Sequence, residues 1–200
     1  MSVVHIVDDD EAIRDALECL FLSRGVTVQL YDSAETFLDK WHPTMIGCLL
    51  LDMRMSGMSG LDLYDRLLSQ DCRMPVIFLT GHGDVPMAVS ALKKGAADFV
   101  EKPFNDNELV DNVIAALELD AKRRQAEQGC ADVEARLAQL TLREQQVMKL
   151  VLDGKMNKVI ADDLGITMRT VEVHRAHVFE KMGVKTAVEL ARLLSGHNLV

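Results

Sequence analysis

Short apolar runs alternate with amphipathic segments along the first 120 residues. Apolar positions at helical spacing follow each run, such as Leu17, Leu20 and Phe21 after the first one. The wholly apolar run at 48–51 is typical of a strand that helices cover on both faces. The pattern predicts an α/β fold built on a five-stranded, doubly wound parallel sheet. The predicted strands lie at residues 3–7, 26–31, 48–51, 76–79 and 98–101.

Local signals place the ends of the helices between these strands. Asp10 and Ser33 precede two amphipathic segments and are suited to accept hydrogen bonds at a helix N-terminus. Gly25 and Gly95 follow such segments, where glycine favours helix termination. The fifth helix is predicted to cover residues 106–119.

Residues 120–138 depart from this alternation. They are charged and rich in alanine, and their composition favours helix except at Gly129. We interpret residues 121–138 as a linker that is helical in part. It separates a first domain, residues 1–120, from a second domain, residues 139–200.

The second domain shows helix signals and no strand pattern. Thr141 and Glu144 have the spacing of a capping box, and Asn157 and Thr167 are suited to cap the next two helices. A short helix, a tight turn at Gly165 and a longer helix predict a helix-turn-helix within an all-α, four-helix domain. The predicted helices after the first lie at 158–164, 168–182 and 186–194.

Charge is divided unequally between the two domains. The net charge of the chain is -9. Residues 1–120 hold 9 basic and 21 acidic residues, a net charge of -12, and residues 121–200 hold 13 and 10, a net charge of +3. An acidic domain suits a cation, whereas a mildly basic one can approach nucleic acid. The charge therefore indicates two domains with different partners.

Two classes of protein are disfavoured by composition. The sequence has no apolar stretch of membrane-spanning length and no signal-peptide pattern at its N-terminus, so we expect a cytoplasmic protein without a membrane partner. The four cysteines are scattered without a C-x-x-C pair. This favours free thiols over a disulfide framework or a cysteine metal site.

Polar side chains follow four of the five predicted strands. Asp8 and Asp9 follow the first, Asp52 the third, Thr80 the fourth and Lys102 the fifth. The carboxyl ends of parallel strands meet at one edge of a sheet, which is where such folds bind ligands. Singly, each residue has an ordinary explanation as a turn or helix-terminus residue. Together, three carboxylates, a hydroxyl and an ammonium suit a divalent cation and a phosphoryl group.

This chemistry can be assigned to individual atoms. Asp9 and Asp52 are candidates to give one oxygen each to Mg²⁺ or Mn²⁺, with Asp8 acting directly or through water. The carbonyl of Arg54 is a candidate third ligand. A carboxylate beside such an ion can act as a nucleophile and form an aspartyl phosphate. Lys102 would supply charge and Thr80 a hydroxyl to the phosphoryl group.

These residues occur in motifs that identify a known pattern. The motifs are the acid pair at 8–9, LLLDMRMSGMSG at 49–60, FLTGHGDVPMAV at 78–89 and Lys102-Pro103. Residues 1–120 thereby resemble the receiver domain of bacterial two-component response regulators, a flavodoxin-like fold. The resemblance implies that Asp52 is the phospho-acceptor and that Thr80 and Lys102 contact the phosphoryl group. It places Phe99 at the aromatic switch position, although Phe99 could also be plain core.

Two details refine the resemblance. The stretch at 80–89 is similar to the FixJ branch of these regulators, with a loop containing Gly83 that leads into a helix carrying Pro86. We interpret His82 as an exposed loop residue and not as a ligand. Ser56 stands where the family usually has proline, so we expect the loop after Asp52 to be less rigid.

Residues 139–200 resemble the LuxR/FixJ-type DNA-binding domain. The motifs are TLREQQV at 141–147, NKVIADDLG at 157–165 and TVEVHRAHV at 170–178. In this class the second helix of the motif enters the major groove. The candidates for base contacts are Glu172, Val173, Ala176 and His177. The candidates for contacts with the DNA backbone are Lys155, Asn157, Lys158, Thr170, His174, Arg175, Lys181 and Lys185. Arg169 is a further candidate DNA contact.

Two alternatives remain open for this domain. Arg169 and Arg175 could form salt bridges with nearby acids and not contact DNA. The domain could also be a small helical protein-binding module with a solvated basic face, since its excess of positive charge is small.

The resemblances together imply a DNA-binding transcriptional response regulator. A sensor histidine kinase would phosphorylate Asp52, and the receiver would then dimerise and bind double-stranded promoter DNA. The regulator would act with RNA polymerase, and the family resemblance favours activation over repression. The chain would catalyse only its own phosphoryl transfer and dephosphorylation, so we do not expect an enzyme.

Two rival functions compete with this one. A Mg²⁺-dependent phosphohydrolase would also use an aspartyl phosphate, but such enzymes commonly place a second Asp two residues after the nucleophile, where this chain has Arg54. A regulator that binds DNA without phosphorylation would have a vestigial acidic pocket. The presence of every pocket residue argues against that.

Overall fold

The computed structural model of the chain describes residues 3–81 and 85–196, and for residues 85 and 86 it describes the backbone alone. The predictions for His82 and Gly83, and for the side chain of Pro86, lie outside the described residues. The chain divides into two compact units, the first ending at Lys122 and the second beginning at Arg123.

The first unit contains the predicted parallel sheet. Its strand order is β2-β1-β3-β4-β5, and every neighbouring pair is parallel. All five residues of β3 and of β4 are buried, as expected for strands covered on both faces. The strands are β1 (Val3–Val7), β2 (Thr27–Tyr31), β3 (Cys48–Asp52), β4 (Val76–Thr80) and β5 (Asp98–Glu101).

Helices cover both faces of this sheet, so the fold is doubly wound as predicted. The helices are α1 (Glu11–Ser23), α2 (Ala34–Lys40), α3 (Gly60–Ser69), α4 (Val85–Lys93) and α5 (Asp106–Ala138). The strand β3 shows how its residues alternate between two cores: Leu51 packs with residues of α2, α3 and α4, whereas Leu50 packs with residues of α1 and α5. This alternation follows from the two-residue period of a strand.

Helix α5 is longer than the sequence indicated. The prediction that it ends at Leu119 was wrong, because residues 106–138 form one uninterrupted helix that includes Gly129 and the whole predicted linker. Its early residues, such as Val113, lie in the core of the first unit, and Val133 lies in a core of the second. The strong helix propensity of residues 120–138 outweighs the single unfavourable glycine.

The second unit is the predicted helical domain. Beyond the end of α5 it contains α6 (Leu142–Leu152), α7 (Asn157–Leu164), α8 (Met168–Met182) and α9 (Ala187–Ser195). Helices α7 and α8 form the helix-turn-helix, and Gly165 between them adopts the left-handed conformation (φ 63°) that ends α7. Val171 of α8 is fully buried against Val147 and Ile160, which fixes α8 on α6 and α7.

Most predicted helix caps are confirmed. The side chains of Asp10, Ser33 and Thr167 accept a backbone N–H of the helix that follows, and Thr141 forms the reciprocal capping box with Glu144. The prediction that Asn157 caps α7 was wrong. Asn157 is the first helical residue, and its side chain instead accepts a hydrogen bond from Arg175.

One further property of the helices bears on the sequence prediction. Within residues 3–81 and 85–196, no helix is both long and apolar enough to cross a bilayer.

Candidate functional site

The carboxyl ends of the strands bring three acidic side chains together. Asp8 and Asp9 follow β1, and Asp52 is the last residue of the neighbouring strand β3. One carboxylate oxygen from each of the three lies within 4.8 Å of the others. Asp8 and Asp52 are buried, and Asp9 is exposed. The convergence expected from the sequence is therefore present in the fold.

Lys102 forms ion pairs with two of these carboxylates. Its Nζ lies 2.8 Å from Oδ2 of Asp8 and 2.7 Å from Oδ1 of Asp52. The backbone N–H of Lys102 donates to the carbonyl of Thr80 (2.7 Å), which anchors the residue to the end of β4. The peptide bond between Lys102 and Pro103 is cis. Lys102 thus joins the first, third and fourth strand ends.

For both Asp52 and Lys102, burial and the charge of the partner shift the pKa in opposite directions. Burial and, to a smaller extent, the neighbouring Asp8 carboxylate raise the pKa of the Asp52 carboxyl, and together they exceed the opposing influence of the Lys102 ammonium and of a backbone hydrogen bond from Arg54. Burial alone would lower the pKa of Lys102. Its hydrogen bonds to Asp52 and Asp8 outweigh burial and leave the pKa of the ammonium raised. The ammonium therefore remains a fixed positive charge beside Asp52.

Asp9 is held by the loop that follows β3. One oxygen of its carboxylate, Oδ2, accepts two hydrogen bonds from Ser56, one from the backbone N–H (2.8 Å) and one from the hydroxyl (2.9 Å). The backbone hydrogen bond is the main cause of the lowered pKa of Asp9. Ser56 was noted in the sequence as a departure from the family pattern, but its contact with Asp9 was not predicted.

Thr80 and Phe99 lie on β4 and β5, the two strands that follow β3 in the sheet. Thr80 ends β4 and is 1% exposed, and its hydroxyl donates to the carbonyl of Val100 in β5 (3.4 Å). Phe99 is half-buried and packs against the core formed by α2, α3 and α4. The positions suit the predicted phosphoryl contact and aromatic switch, and both roles remain predictions.

The donor set fits a hard divalent cation. Carboxylate oxygens are the ligands that Mg²⁺ prefers, and ligands on opposite sides of an octahedral Mg²⁺ are about 4.2 Å apart. The oxygens of Asp8, Asp9 and Asp52 lie within 4.8 Å of one another, slightly wider than that spacing, so the carboxylates would move closer together on binding an ion. Arg54 lies two residues after Asp52 in the loop, and its carbonyl remains a predicted ligand.

The second unit presents its candidate DNA contacts on an accessible surface. None of the thirteen predicted residues is buried. The exposed ones are Lys158, Arg169, Glu172, Val173, Ala176, His177 and Lys185. The half-buried ones are Lys155, Asn157, Thr170, His174, Arg175 and Lys181. Val173 is 47% exposed on α8, so its side chain is accessible for an apolar contact with a partner.

Several of these residues also contact other parts of the unit. Nζ of Lys155 lies 2.7 Å from Oδ2 of Asp163, and this ion pair raises the pKa of Lys155. Arg175 donates to Oδ1 of Asn157 (2.6 Å), and its guanidinium carbon lies 5.6 Å from the centre of the Phe179 ring. Arg175 therefore joins α8 to the start of α7 through an amide and not through an acid.

Glu144 is a further organising residue that the sequence indicated only as a helix cap. Its side chain is 4% exposed and accepts from the backbone N–H of Thr141 (2.8 Å) and from Nζ of Lys181 (2.7 Å). Nδ1 of His177 lies 3.6 Å from the same carboxylate. The hydrogen bonds from Lys181 and Thr141 lower the pKa of Glu144 to about 2. Two predicted DNA contacts thus surround one buried charge.

Arg136 was missed altogether. It lies near the end of α5, and its guanidinium donates to the carbonyl of Met182, the last residue of α8 (2.9 Å). A basic side chain at a helix C-terminus satisfies a carbonyl that has no partner within the helix. The sequence carries no local signal for this contact, because 46 residues separate the two partners.

Comparison with protein families assigns a likeness to each unit. The model described as "Response regulator receiver domain" matches residues 4–114, and the model described as "Bacterial regulatory proteins, luxR family" matches residues 138–194. The two matches lie on either side of the middle of α5. They agree with the resemblances found in the sequence motifs.

Curated relatives are similar to the chain over nearly its full length. The chain is 51% identical over 192 residues to the "C4-dicarboxylate transport transcriptional regulatory protein DctR" of Rhodobacter capsulatus, which covers 95% of this chain and 98% of the relative. It is 46% identical over 190 residues to the "Transcriptional regulatory protein FixJ" of Azorhizobium caulinodans, covering 95% of this chain and 90% of the relative.

Solved structures give the same result. The response regulator StyR has a TM-score of 0.91 at 43% sequence identity, covering 97% of this chain and 98% of StyR. Full-length FixJ from B. japonicum has a TM-score of 0.63 at 40% identity, covering 100% of this chain and 98% of FixJ. The likeness therefore includes both units.

Proposed function

The chain belongs to the two-component response regulators that combine a receiver domain with a LuxR-type DNA-binding domain, and we propose that phosphorylation of Asp52 controls its binding to promoter DNA. The family has a DNA-binding output domain, which disfavours the rival phosphohydrolase. The partners of the family are a histidine kinase and DNA. The particular acceptor, the metal, the dimer and activation are parts of the proposal.

The observation that carries the proposal is the arrangement around Asp52. Its carboxylate ends the central strand, lies 2.7 Å from the ammonium of Lys102 and stands beside the carboxylates of Asp8 and Asp9. A nucleophilic carboxylate needs positive charge nearby when a phosphoryl group with its own negative charge approaches. Lys102 supplies part of that charge.

A divalent cation would supply the remainder. Asp8, Asp9 and Asp52 would hold Mg²⁺ or Mn²⁺, together with the carbonyl of Arg54. When bound, the cation neutralises the phosphoryl oxygens and so lowers the barrier to in-line transfer. This role fits three carboxylates with one ammonium, since the cluster otherwise keeps an excess of negative charge.

Phosphoryl transfer to Asp52 would form one bond to phosphorus and break another. An oxygen of ionised Asp52 attacks the phosphorus of a phosphohistidine on the sensor kinase. The new O–P bond forms as the P–N bond breaks, and the electron pair of that bond returns to the imidazole nitrogen. Lys102 and the hydroxyl of Thr80 would then contact the phosphoryl oxygens.

Phosphorylation of Asp52 on β3 would change the conformation of residues on β4 and then on β5. Thr80 would move towards the phosphoryl group, and Phe99 of the adjacent strand would turn into the space that Thr80 leaves. The altered face of α4, β5 and α5 would form a homodimer, as the resemblance to the FixJ branch implies. This is a local change of charge that biases a two-state element.

Dimerisation would place two recognition helices on one DNA duplex. Helix α8 would enter the major groove with Glu172, Val173, Ala176 and His177 towards the bases. Exposed basic residues such as Lys158 would contact the phosphates. Curated relatives are described as transcriptional regulatory proteins. We extend this to activation of transcription by RNA polymerase.

The proposal is tested with Asp52→Asn, and Asp39→Asn serves as a matched control because Asp39 is exposed on α2. The full chain is treated with Mg²⁺ and a small-molecule phosphodonor, and sedimentation and operator affinity are measured with and without the donor. We expect wild type and Asp39→Asn to dimerise and to bind DNA more tightly with the donor. For Asp52→Asn, addition of the donor should change neither the sedimentation nor the operator affinity.

Two results would count against the proposal. A donor response that persists in Asp52→Asn would assign the phosphoryl group to another residue. Equal DNA affinity of wild type with and without covalent phosphate would favour the rival regulator whose pocket is vestigial. Beryllofluoride, which mimics the phosphoryl group on a carboxylate, separates failure of transfer from failure of the response.

A further inference from the structure

Ser56, a loop residue, donates two hydrogen bonds to Asp9. Both of its hydrogen-bond donors, the backbone N–H and the hydroxyl, reach the same oxygen of Asp9, at 2.8 Å and 2.9 Å. Asp9 lies after β1 and Ser56 lies in the loop between β3 and α3, so 47 residues separate them. The contact therefore ties together two loops that border the acidic cluster.

The identity of residue 56 matters because related receivers usually carry proline there. Proline has no backbone N–H and no hydroxyl, so it could make neither hydrogen bond to Asp9. In this chain both donors are present, and both are used. The substitution replaces a stiff residue by one that adds two polar contacts to a candidate metal ligand.

Hydrogen bonds of this kind influence how a carboxylate binds a metal. A carboxylate that coordinates through one oxygen is commonly oriented by a hydrogen bond to the other oxygen, and loss of that partner weakens metal binding. Asp9 is exposed, so without a partner its side chain would move among several rotamers. Ser56 restricts the carboxylate to the orientation in which its oxygen lies near those of Asp8 and Asp52.

We infer that Ser56 is a positioning residue that presets Asp9 for the divalent cation, so that the metal affinity of this receiver depends on the Ser56 side chain. The inference rests on the proposed function, because it concerns the same cation. Ser56 itself is not a ligand in this scheme. It acts through Asp9, and it should affect the concentration of metal required and not the chemistry that follows.

The test uses the full chain with three variants at position 56. Ser56→Thr keeps both donors, Ser56→Ala keeps the backbone N–H, and Ser56→Pro removes both. Ser69→Ala is the matched control, because the Ser69 hydroxyl is bonded to a carbonyl of its own helix at the opposite end of α3. Far-ultraviolet circular dichroism establishes that each variant is folded.

Two readouts distinguish positioning from general damage. Binding of Mn²⁺ alone is measured from the free-ion signal in electron paramagnetic resonance, with Mg²⁺ as competitor. The rate of phosphoryl uptake from a small donor is then measured against Mg²⁺ concentration. Positioning predicts a higher half-saturating Mg²⁺ concentration with an unchanged maximal rate, whereas a damaged acceptor site would lower the maximal rate.

We expect Ser56→Ala to weaken metal binding roughly two- to tenfold, the usual net effect of one lost hydrogen bond at an exposed site. Ser56→Pro should weaken it about tenfold or more. Ser56→Thr and Ser69→Ala should match wild type. Equal affinity in all variants, or tighter binding by Ser56→Ala, would overturn the inference while leaving the proposed function intact. Failure of wild type to bind the ion would overturn both.

Discussion

The ammonium of Lys181 lies 2.7 Å from a carboxylate oxygen of Glu144, which is almost completely buried at the start of α6. Lys181 also donates to the carbonyl of Gln139 (3.2 Å). Lys181 belongs to the recognition helix and was predicted to contact a DNA phosphate. The structure gives it a second task, which is to hold the C-terminal part of α8 against the start of α6.

Lys181→Ala is therefore expected to reduce stability as well as DNA affinity. Removing the ammonium leaves a buried carboxylate with one fewer partner, which should lower the free energy of unfolding of the second unit by about 1–3 kcal/mol. Lys185→Ala is the control, because the Lys185 side chain is exposed and a surface change of this kind alters stability by about 0.5 kcal/mol or less. Urea unfolding of the full chain measures both. If Lys181→Ala lost DNA affinity while its free energy of unfolding stayed unchanged, Lys181 would not stabilise the packing of α8 on α6.

The Glu144 carboxyl should make the second unit sensitive to acid. Its pKa is lowered to about 2 in the folded chain, mainly by the hydrogen bond from Lys181, against an ordinary value of 4.5. A lowered carboxyl pKa contributes stability that is complete above the unfolded value. That contribution is lost as the pH falls from about 4.5 towards about 2.

Glu144→Gln provides the measurement. The variant lacks the ionised carboxylate, so its deficit in unfolding free energy should be largest near neutral pH and should shrink below about pH 4.5. Glu180→Gln, on the exposed side of α8, controls for the loss of one acidic charge. A deficit that stays constant across this range would show that the carboxylate charge of Glu144 is not the stabilising feature.

Gly60 is required by the backbone of the candidate phospho-acceptor. A Cβ atom at Gly60 would lie 2.1 Å from the carbonyl oxygen of Asp52, far closer than two such atoms can approach. We expect Gly60→Ala to displace the end of β3. It should lower the free energy of unfolding of the first unit by about 1–3 kcal/mol, the usual effect of overpacking, and slow phosphoryl uptake.

Gly25→Ala separates this clash from simple backbone strain. Gly25 has a φ of 73° but no atom within 4 Å of an added Cβ. Its replacement should destabilise by about 1 kcal/mol through conformation alone and leave phosphoryl uptake unchanged. Equal rates of uptake for the Gly60 and Gly25 variants would show that the Asp52 carbonyl tolerates displacement.

Arg175 and Asn157 should behave as a coupled pair. Because Arg175 donates to Asn157 at 2.6 Å, the single alanine variants and the double variant should be non-additive in unfolding free energy by about 0.5–3 kcal/mol. If Arg175 also contacts a DNA phosphate, Arg175→Ala should reduce the salt dependence of DNA binding by about one ion, and Asn157→Ala should not. Filter binding at several salt concentrations measures the slope. Additive stabilities would mean that the pair contributes nothing as a unit.

The sequence predicted those features that depend on local pattern. Runs of apolar residues located every strand, and short polar side chains such as Ser33 and Thr167 located helix starts, because a cap involves only residues three positions apart. The edge of the sheet then followed from the parallel order. The proximity of Asp52 and Lys102 could be predicted from the sequence, because in a parallel sheet the carboxyl ends of all strands lie at the same edge.

Features that depend on distant partners were not predicted. The contacts of Ser56 with Asp9 and of Arg136 with Met182 join residues 47 and 46 positions apart, and nothing local distinguishes these donors from other polar residues. Asn157 was misjudged for the same reason, since Arg175 competes for the amide that would otherwise cap the helix. The length of α5 was underestimated because the pattern of the first domain stops at Leu119, although fourteen of residues 120–138 are strong helix formers.

The middle of α5 has a consequence for local motion. Between Asp120 and Val133 every residue of this helix is exposed or half-buried, whereas residues nearer its two ends, such as Val113 and Val133, lie in cores. Less burial means less stabilisation from packing, and Gly129 lowers the helix propensity of this stretch further. Amide protons around Gly129 should therefore exchange with deuterium sooner than those at either end of the helix. The chain can unwind there briefly while the interiors of both units remain intact.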